Sequence, residues 1–451
     1  MRLELEKLRG WVNPADAFLA MHAKDENVFW LDRSTNSDEP VSVIGSAGSV
    51  IRAGNDTFAL ASKHLQDIQN AIIESNESLE ANHIPFSFRP GLVGYLGYEL
   101  GNNQTENSEP KSQFMVVDRA MVFDHKSKTM YFIGLFETRQ EFLNWHRAAL
   151  LRLTLVGGEV ASFMQTTKEP RLISTQLRHS EQSYLELIIK AKEHIAKGDV
   201  FQLCLTNQIF IEHDANALKT FLTLRDANPA PYGGYLKLGG VEIVSSSPEQ
   251  FLKISASGRV SSKPIKGTRP RSKNQAEDVK ISIELAGNEK ERAENLMIVD
   301  LMRNDLGRVC EAESIAVEKL FDVESYATVH QLVSTVTGQL KPGLSATSAL
   351  EACFPAGSMT GAPKIRAVEI LSEMESGTRN IYSGAFGYLG FDGSADMGMT
   401  IRTLVFEGNL ASLGVGGGIT IDSDPASEFE ETMLKSMALL RALGGVAKWK
   451  I

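Results

Sequence analysis

Four glutamates sit in two tight groups, and their spacing is the first sign of chemistry in this chain. In Glu291-Arg-Ala-Glu294 the acids are three apart. In Glu428-Phe-Glu-Glu431-Thr-Met-Leu-Lys435, two acids and a lysine follow at i, i+3 and i+7. On helices each set shares one face. Two such faces opposed would gather hard carboxylate oxygens, a ligand set that suits Mg²⁺ and leaves room for waters and substrate oxygens. Either set alone reads first as a solvated helix face. Gly416-Gly417-Gly418, ahead of the second helix, offers backbone N–H groups to a carboxylate or phosphate. The chain has neither G-x-x-x-x-G-K-[ST] nor G-x-G-x-x-G.

A second constellation is Lys263-Pro-Ile-Lys266-Gly267-Thr268-Arg269-Pro-Arg271. Pro264 and Gly267 bracket Lys266 and give it an unusual backbone. By itself the segment reads as a solvated basic loop. Glu249 follows Ser245-Ser-Ser-Pro248 at the end of a strand, where a lone acid serves either as a general acid or as a turn residue.

The elements that must position these groups read as α+β. Ser180 caps a helix carrying Tyr184, Ile188, Ala191 and Ile195 at helical spacing, with Lys197-Gly198 as its stop. Later helices are predicted over 288–302, 363–374 and 425–443, the last opened by Asp424-Pro425. Strands are predicted at 200–211, 235–238, 241–246, 382–391, 397–406 and 411–415. Strands and helices do not alternate strictly, which favours antiparallel sheets flanked by helices over a doubly wound parallel sheet. Gly91-Leu-Val-Gly94-Tyr-Leu-Gly-Tyr98 has an echo in Gly384-Ala-Phe-Gly387-Tyr-Leu-Gly390, which chance explains equally well. The polar stretch 165–170 places a boundary between an N-terminal region, 1–165, and a C-terminal region, 172–451.

Composition excludes several classes. The 451 residues are 43% hydrophobic and carry a formal net charge of −10, ample for a large core and wrong for a general nucleic-acid or anionic-membrane surface. No apolar run is long enough to span a membrane, and Met1–Gly10 lacks the character of a leader. Cys204, Cys310 and Cys353 are widely spread, with no C-x-x-C, which points to a reduced interior and a cytoplasmic location.

The ordered motifs Ser247-Pro-Glu249, Pro264-Ile-Lys266-Gly-Thr268, Glu291-x-x-Glu294 with Val299-Asp-Leu-x-Arg303-Asn-Asp, Pro355-Ala-Gly-Ser358-Met-Thr-Gly361-Ala-Pro-Lys364, Tyr382-Ser-Gly384, Ile401-Arg402 and Gly416 through Glu431 run from about residue 180 to the C-terminus. Together they resemble the chorismate-utilising enzymes, the family of anthranilate, isochorismate, salicylate and aminodeoxychorismate synthases. Phe88-Arg-Pro-Gly-Leu-Val-Gly94-Tyr-Leu-Gly-Tyr98-Glu99 extends the likeness into the N-terminal half. The resemblance implies an anthranilate synthase component I-like fold. It implies Mg²⁺ held by Glu291, Glu294, Glu428 and Glu431, clamping the ring carboxylate of chorismate. Gly416, Gly417 and Gly418 would offer N–H groups to a carboxylate, Arg402 with Tyr382 would bind the enolpyruvyl carboxylate, and Lys435, Thr268 and Ser358 would contact substrate. Glu249 would be the general acid.

Within the family, Lys at position 266 is what the aminating, aminodeoxychorismate-forming branch carries, as a nucleophile. Anthranilate and isochorismate synthases usually have Ala there. Gln202 stands where water-activating members have Lys; an amide cannot act as a base, so ammonia is the expected nucleophile. The anthranilate branch has His directly before Leu-Val-Ser, where this chain has Gln331 preceded by His330, and Ser358 replaces a Thr. The first departure fits an enzyme that stops at the aminated product. The chain shows no glutaminase signature, so the resemblance implies a separate glutaminase subunit supplying ammonia. It also places tryptophan, as a candidate ligand, near Phe29–Ser34. Anthranilate synthase component I is the nearest rival; a non-catalytic chorismate- or tryptophan-binding regulatory subunit is the rival from another class.

Overall fold

The structure, a computed structural model, describes residues 1–73, 84–101, 112–326 and 328–445. Among these, twelve strands form one sheet and ten a second, and every strand pairing is antiparallel. The α+β expectation holds. Aromatic and aliphatic side chains of both sheets, including Phe29, Leu31, Tyr95, Ile243 and Phe386, fill the layer between them. Helices cover the outer face of each sheet over two further cores. A fully buried ring such as Phe29 or Phe386 contributes ~2 kcal/mol to that packing.

Strands from both sides of residues 165–170 enter both sheets. Val28–Asp32 pairs with Tyr232–Leu238 in the first, and Gly91–Leu96 with Ala385–Gly390 in the second. The two Gly/aromatic runs are thus direct neighbours, with Gly94 opposite Gly387. A Cβ on Gly94 would lie 2.0 Å from the Gln113 carbonyl, and one on Gly387 2.0 Å from that of Asp396, so both positions exclude a side chain.

The carboxylate helices begin as the sequence predicts. Asn288 caps Glu289–Val309 by accepting from Glu291 N (3.1 Å), and Asp424 caps Pro425–Ala442 by accepting from Ser427 N (2.9 Å). The first helix runs past the predicted end at 302 because Leu306 and Val309 continue its buried face. No described helix is long and apolar enough to cross a membrane.

Candidate active site

Two chain segments pass from one sheet to the other side by side, and each delivers a side chain to one cavity. Val241–Ser247 lies in the first sheet and Gln250–Ile254 in the second, with Glu249 at the crossover. Ala395–Met399 lies in the second sheet and Thr403–Glu407 in the first, with Arg402 between them at φ 50°. The single strand predicted over 397–406 is therefore broken at this corner. Met399 N donates to the Glu249 carbonyl (3.0 Å) and Ser246 N to the Arg402 carbonyl (3.0 Å), locking the crossovers together.

The cavity encloses about 660 Å³. Its lining includes each residue to which the resemblance gives a catalytic, metal-holding or substrate-contacting role: Glu249, Lys266, Thr268, Glu291, Glu294, Ser358, Tyr382, Arg402, Gly416, Gly417, Gly418, Glu428, Glu431 and Lys435. That volume suits a small-molecule ligand rather than a polymer.

Lys266 does not sit in a solvated loop. Ile265–Pro270 is an edge strand on Val329–Gln339, and the register shifts between Ile265 and Thr268. The bulge falls on Lys266-Gly267, with Gly267 at φ +81°, and such a bulge re-aims a side chain. The Lys266 ammonium electrostatically favours the charged forms of Glu249 and Glu431, so it faces both the crossover acid and the second carboxylate helix. Its Nζ also lies 3.3 Å from where a Cβ on Gly418 would stand.

Burial pushes the Glu249 carboxyl up to about 7; a hydrogen bond with Ser358 and the charge of Lys266 offset part of the rise. An acid poised there is half protonated near neutrality, which suits proton donation to a departing oxygen. Ser358 reaches it from the turn Gly357–Met359.

Arg402 has no carboxylate partner among the described residues, and burial lowers the affinity of its guanidinium for a proton. An enclosed, unpaired arginine calls for an anionic ligand, and its planar fork fits a carboxylate. Tyr382 lies beside it, its phenol pushed up chiefly by burial. We expect Arg402→Ala to cost about 10²-fold or more in kcat/KM, the usual loss when one partner of a buried charge pair is removed; steady-state kinetics with varied substrate checks it. The Tyr382 ring packs flat on Gly414, where a Cβ would stand 1.9 Å from Cγ. Gly414→Ala is expected to displace that ring and cost about 1–3 kcal/mol of stability, measured by denaturant unfolding.

Gly416–Gly418 do not precede a helix as a loop. They belong to the strand Leu410–Ile419, paired with Gln202–Asp214. Cys204 and Thr206 turn their N–H groups away from this pair, to Thr360 O (2.7 Å) and Glu375 Oε1 (2.9 Å). Gly418 and Gly416, opposite them, therefore occupy non-bonded positions and turn their N–H groups to the other edge. The strand on that edge, Thr403–Glu407, pairs only as far as Leu413, so these donors face the cavity. The N–H groups offered to the cavity belong to an open sheet edge rather than to a helix N-terminus. Lys435 Nζ donates to the Gly416 carbonyl (2.9 Å) and pairs with Glu431 (2.8 Å).

The four glutamates meet in one cavity, each with a partner inside the protein. Glu291 accepts from Arg269 (3.3 Å), Glu428 from Ser423 Oγ (2.7 Å), and Glu431 pairs with Lys435. Burial raises the Glu294 carboxyl, with further repulsion from Glu291 and Glu428. Among the described residues no three His, Cys, Asp or Glu side chains converge closely enough to hold a metal in this conformation. The donor chemistry nevertheless fits Mg²⁺: hard oxygens on opposed helices, with the Lys290 ammonium standing between Glu294 (4.0 Å) and Glu428 (3.9 Å) as a cation in their midst.

Sequence reasoning missed Lys290, whose partner on the other helix is invisible to local spacing. It also missed Asn295, which donates to the Pro264 carbonyl (3.3 Å) and accepts from Ser334 Oγ (2.5 Å), tying the lysine strand to the first carboxylate helix. Gln202 is buried against Gly418, whose Cβ would stand 2.1 Å from its Nε2. Its Oε1 has no partner among the described residues. His330 turns away from the cavity to Asp278 (3.0 Å) and Ser325 Oγ (2.8 Å), while Gln331 lines the wall. Near Phe29–Ser34, Trp30 is core and Arg33 is buried over the Tyr232 ring (4.2 Å).

Residues 26–441 match the family of chorismate binding enzymes. The chain belongs to that family. A family member from Streptomyces griseus, named aminodeoxychorismate synthase, is 40% identical over 95% of this chain and 62% of its own length. Anthranilate synthase component 1 from Streptomyces coelicolor is 39% identical over 79% of this chain and 73% of that protein. The crystal structure of anthranilate synthase component I from Streptococcus pneumoniae superimposes with a TM-score of 0.73 at 27% identity, covering 97% of this chain and 92% of that one. This chain spans 62% of the Streptomyces griseus relative and 52% of an aminodeoxychorismate synthase from Streptomyces pristinaespiralis.

Proposed function

We propose that this chain aminates chorismate with ammonia to give 4-amino-4-deoxychorismate, a step toward 4-aminobenzoate and folate, with the ammonia supplied by a separate glutaminase subunit. The observation that carries the reading is the convergence of Lys266 with a buried acid poised near neutrality in one cavity.

The enolpyruvyl carboxylate pairs with Arg402, and the N–H groups of Gly416 and Gly418 receive the ring carboxylate. Glu291, Glu294, Glu428 and Glu431 would hold Mg²⁺, which when bound neutralises that ring carboxylate. Once the Lys266 ammonium has given a proton to solvent water, its amine attacks carbon 2, the ring double bonds shift, and the bond from carbon 4 to its hydroxyl breaks. Glu249 gives its proton to the leaving oxygen, which departs as water. Ammonia then attacks carbon 4, the double bonds shift back, and the Lys266 nitrogen leaves carbon 2 as a neutral amine. The Glu249 carboxylate takes up the proton that the new amino group sheds. Two inversions give net retention. Gln202 offers no base to activate water, and Gln331 offers none to remove the carbon 2 proton, so the enolpyruvyl group stays.

Purified protein given chorismate, Mg²⁺ and ammonium chloride should form an aminated chorismate that keeps its enolpyruvyl group, identified by chromatography and mass. Fluorescent anthranilate with pyruvate would instead make the chain an anthranilate synthase component. Chorismate bound but unconverted would favour a regulatory subunit.

A further inference from the structure

Resting on the metal reading above, we propose that Lys290 is a built-in counter-ion that a divalent cation must displace to enter the site. Lys290 lies in the first turn of the helix that carries Glu291 and Glu294, yet its ammonium leans across to the opposing helix. It stands 3.9 Å from Glu428 Oε1 and 4.0 Å from Glu294 Oε1. Both of these glutamates are buried, at 8% and 9% exposure, while the Lys290 side chain is 59% exposed. One of the charges that offset these buried acids therefore hangs from the solvent side on a flexible stem and can swing out, whereas Lys266 is fixed to the lysine strand.

Among the other cations, Lys266 acts on Glu294 and Glu431 through its field from the lysine strand, and the remaining two pair with one member each. Arg269 pairs with Glu291 and with Glu284 on the neighbouring helix, and Lys435 pairs with Glu431 while donating to the Gly416 carbonyl. Lys290 alone among the described cations lies within 4.0 Å of carboxylates from both metal helices. Like charges so close within a low-dielectric pocket repel, and a monovalent cation between them relieves that cost until a divalent one replaces it. The exchange sets the affinity of the chain for metal before substrate arrives, and it keeps the helices from being driven apart when metal is scarce.

Mn²⁺ binding to the full chain without chorismate, read by electron paramagnetic resonance and by calorimetry, tests this without turnover. Lys290→Met should tighten Mn²⁺ binding roughly tenfold, the scale of one competing charge in a half-exposed site. Lys290→Arg should stay near the unmodified chain. Glu428→Gln should abolish binding in either background. Unchanged or weaker binding by Lys290→Met, with the unmodified chain binding normally, overturns the displacement proposal alone. Failure of the unmodified chain and of Lys290→Met to bind Mn²⁺ at all overturns the metal reading on which it rests.

Discussion

Lys266→Ala should lower the rate of amination by about a hundredfold or more, the scale at which a covalent or proton-transferring side chain contributes. The fold should survive the change. Lys266 sits on an edge strand whose pairing with Val329–Gln339 is made by backbone, and the Gly267 bulge keeps its shape without the side chain. Chorismate should still bind to Arg402 and the glycine edge, so KM should move far less than kcat. A merely electrostatic lysine would behave differently, because Lys266→Arg, which keeps the charge but not a usable nucleophile, would then restore the rate. Lys266→Arg should remain as slow as Lys266→Ala.

Glu249→Gln should cost 10²- to 10⁴-fold, the range for loss of a positioned general acid. Its pH signature is more telling than its size. With the Glu249 carboxyl at about 7, the protonated acid is depleted as pH rises through that value, so kcat/KM for chorismate should fall above neutrality with a single ionisation. The glutamine variant should lose that limb from its residual rate. Stability gives an independent readout. Below the ordinary glutamate value both folded and unfolded chains hold the proton. As pH climbs from there to about 7 the unfolded chain ionises first, so folding stability declines over that window and then levels off. Glu249→Gln removes the decline, and at pH 8 it should be more stable than the unmodified chain by on the order of 1–3 kcal/mol in denaturant titrations.

The sequence shows what the site is made of more clearly than how it is assembled. Residue type and short spacing put Glu291 with Glu294, and Glu428 with Glu431 and Lys435, on shared helix faces, because a helix makes neighbours of positions three and four apart. The start of each helix was equally legible, from Asn288 and from Asp424-Pro425. What local reading could not supply depends on partners far away in the chain. Arg402 lies in the cavity because a strand breaks there to change sheets, and nothing between Met397 and Phe406 announces that break. The glycine run ahead of the second helix offers N–H groups by composition alone, but its donors face the cavity because a neighbouring strand stops at Leu413. The lysine segment looked like a solvated loop because its strand partner, Val329–Gln339, is remote. Lys290 reads as one more surface charge until the opposing helix is placed against it.

Whether Lys266 forms a bond to the substrate is read by intact-mass analysis of the protein mixed with chorismate and Mg²⁺ in the absence of ammonia, followed by peptide mapping. An adduct equal to chorismate less one water is expected, confined to the peptide containing Lys266, absent from Lys266→Ala and discharged on adding ammonium as aminated product appears. An enzyme that turns over chorismate while its Lys266 peptide stays unmodified at every time point, or that carries the adduct on another residue, would contradict a bond to Lys266.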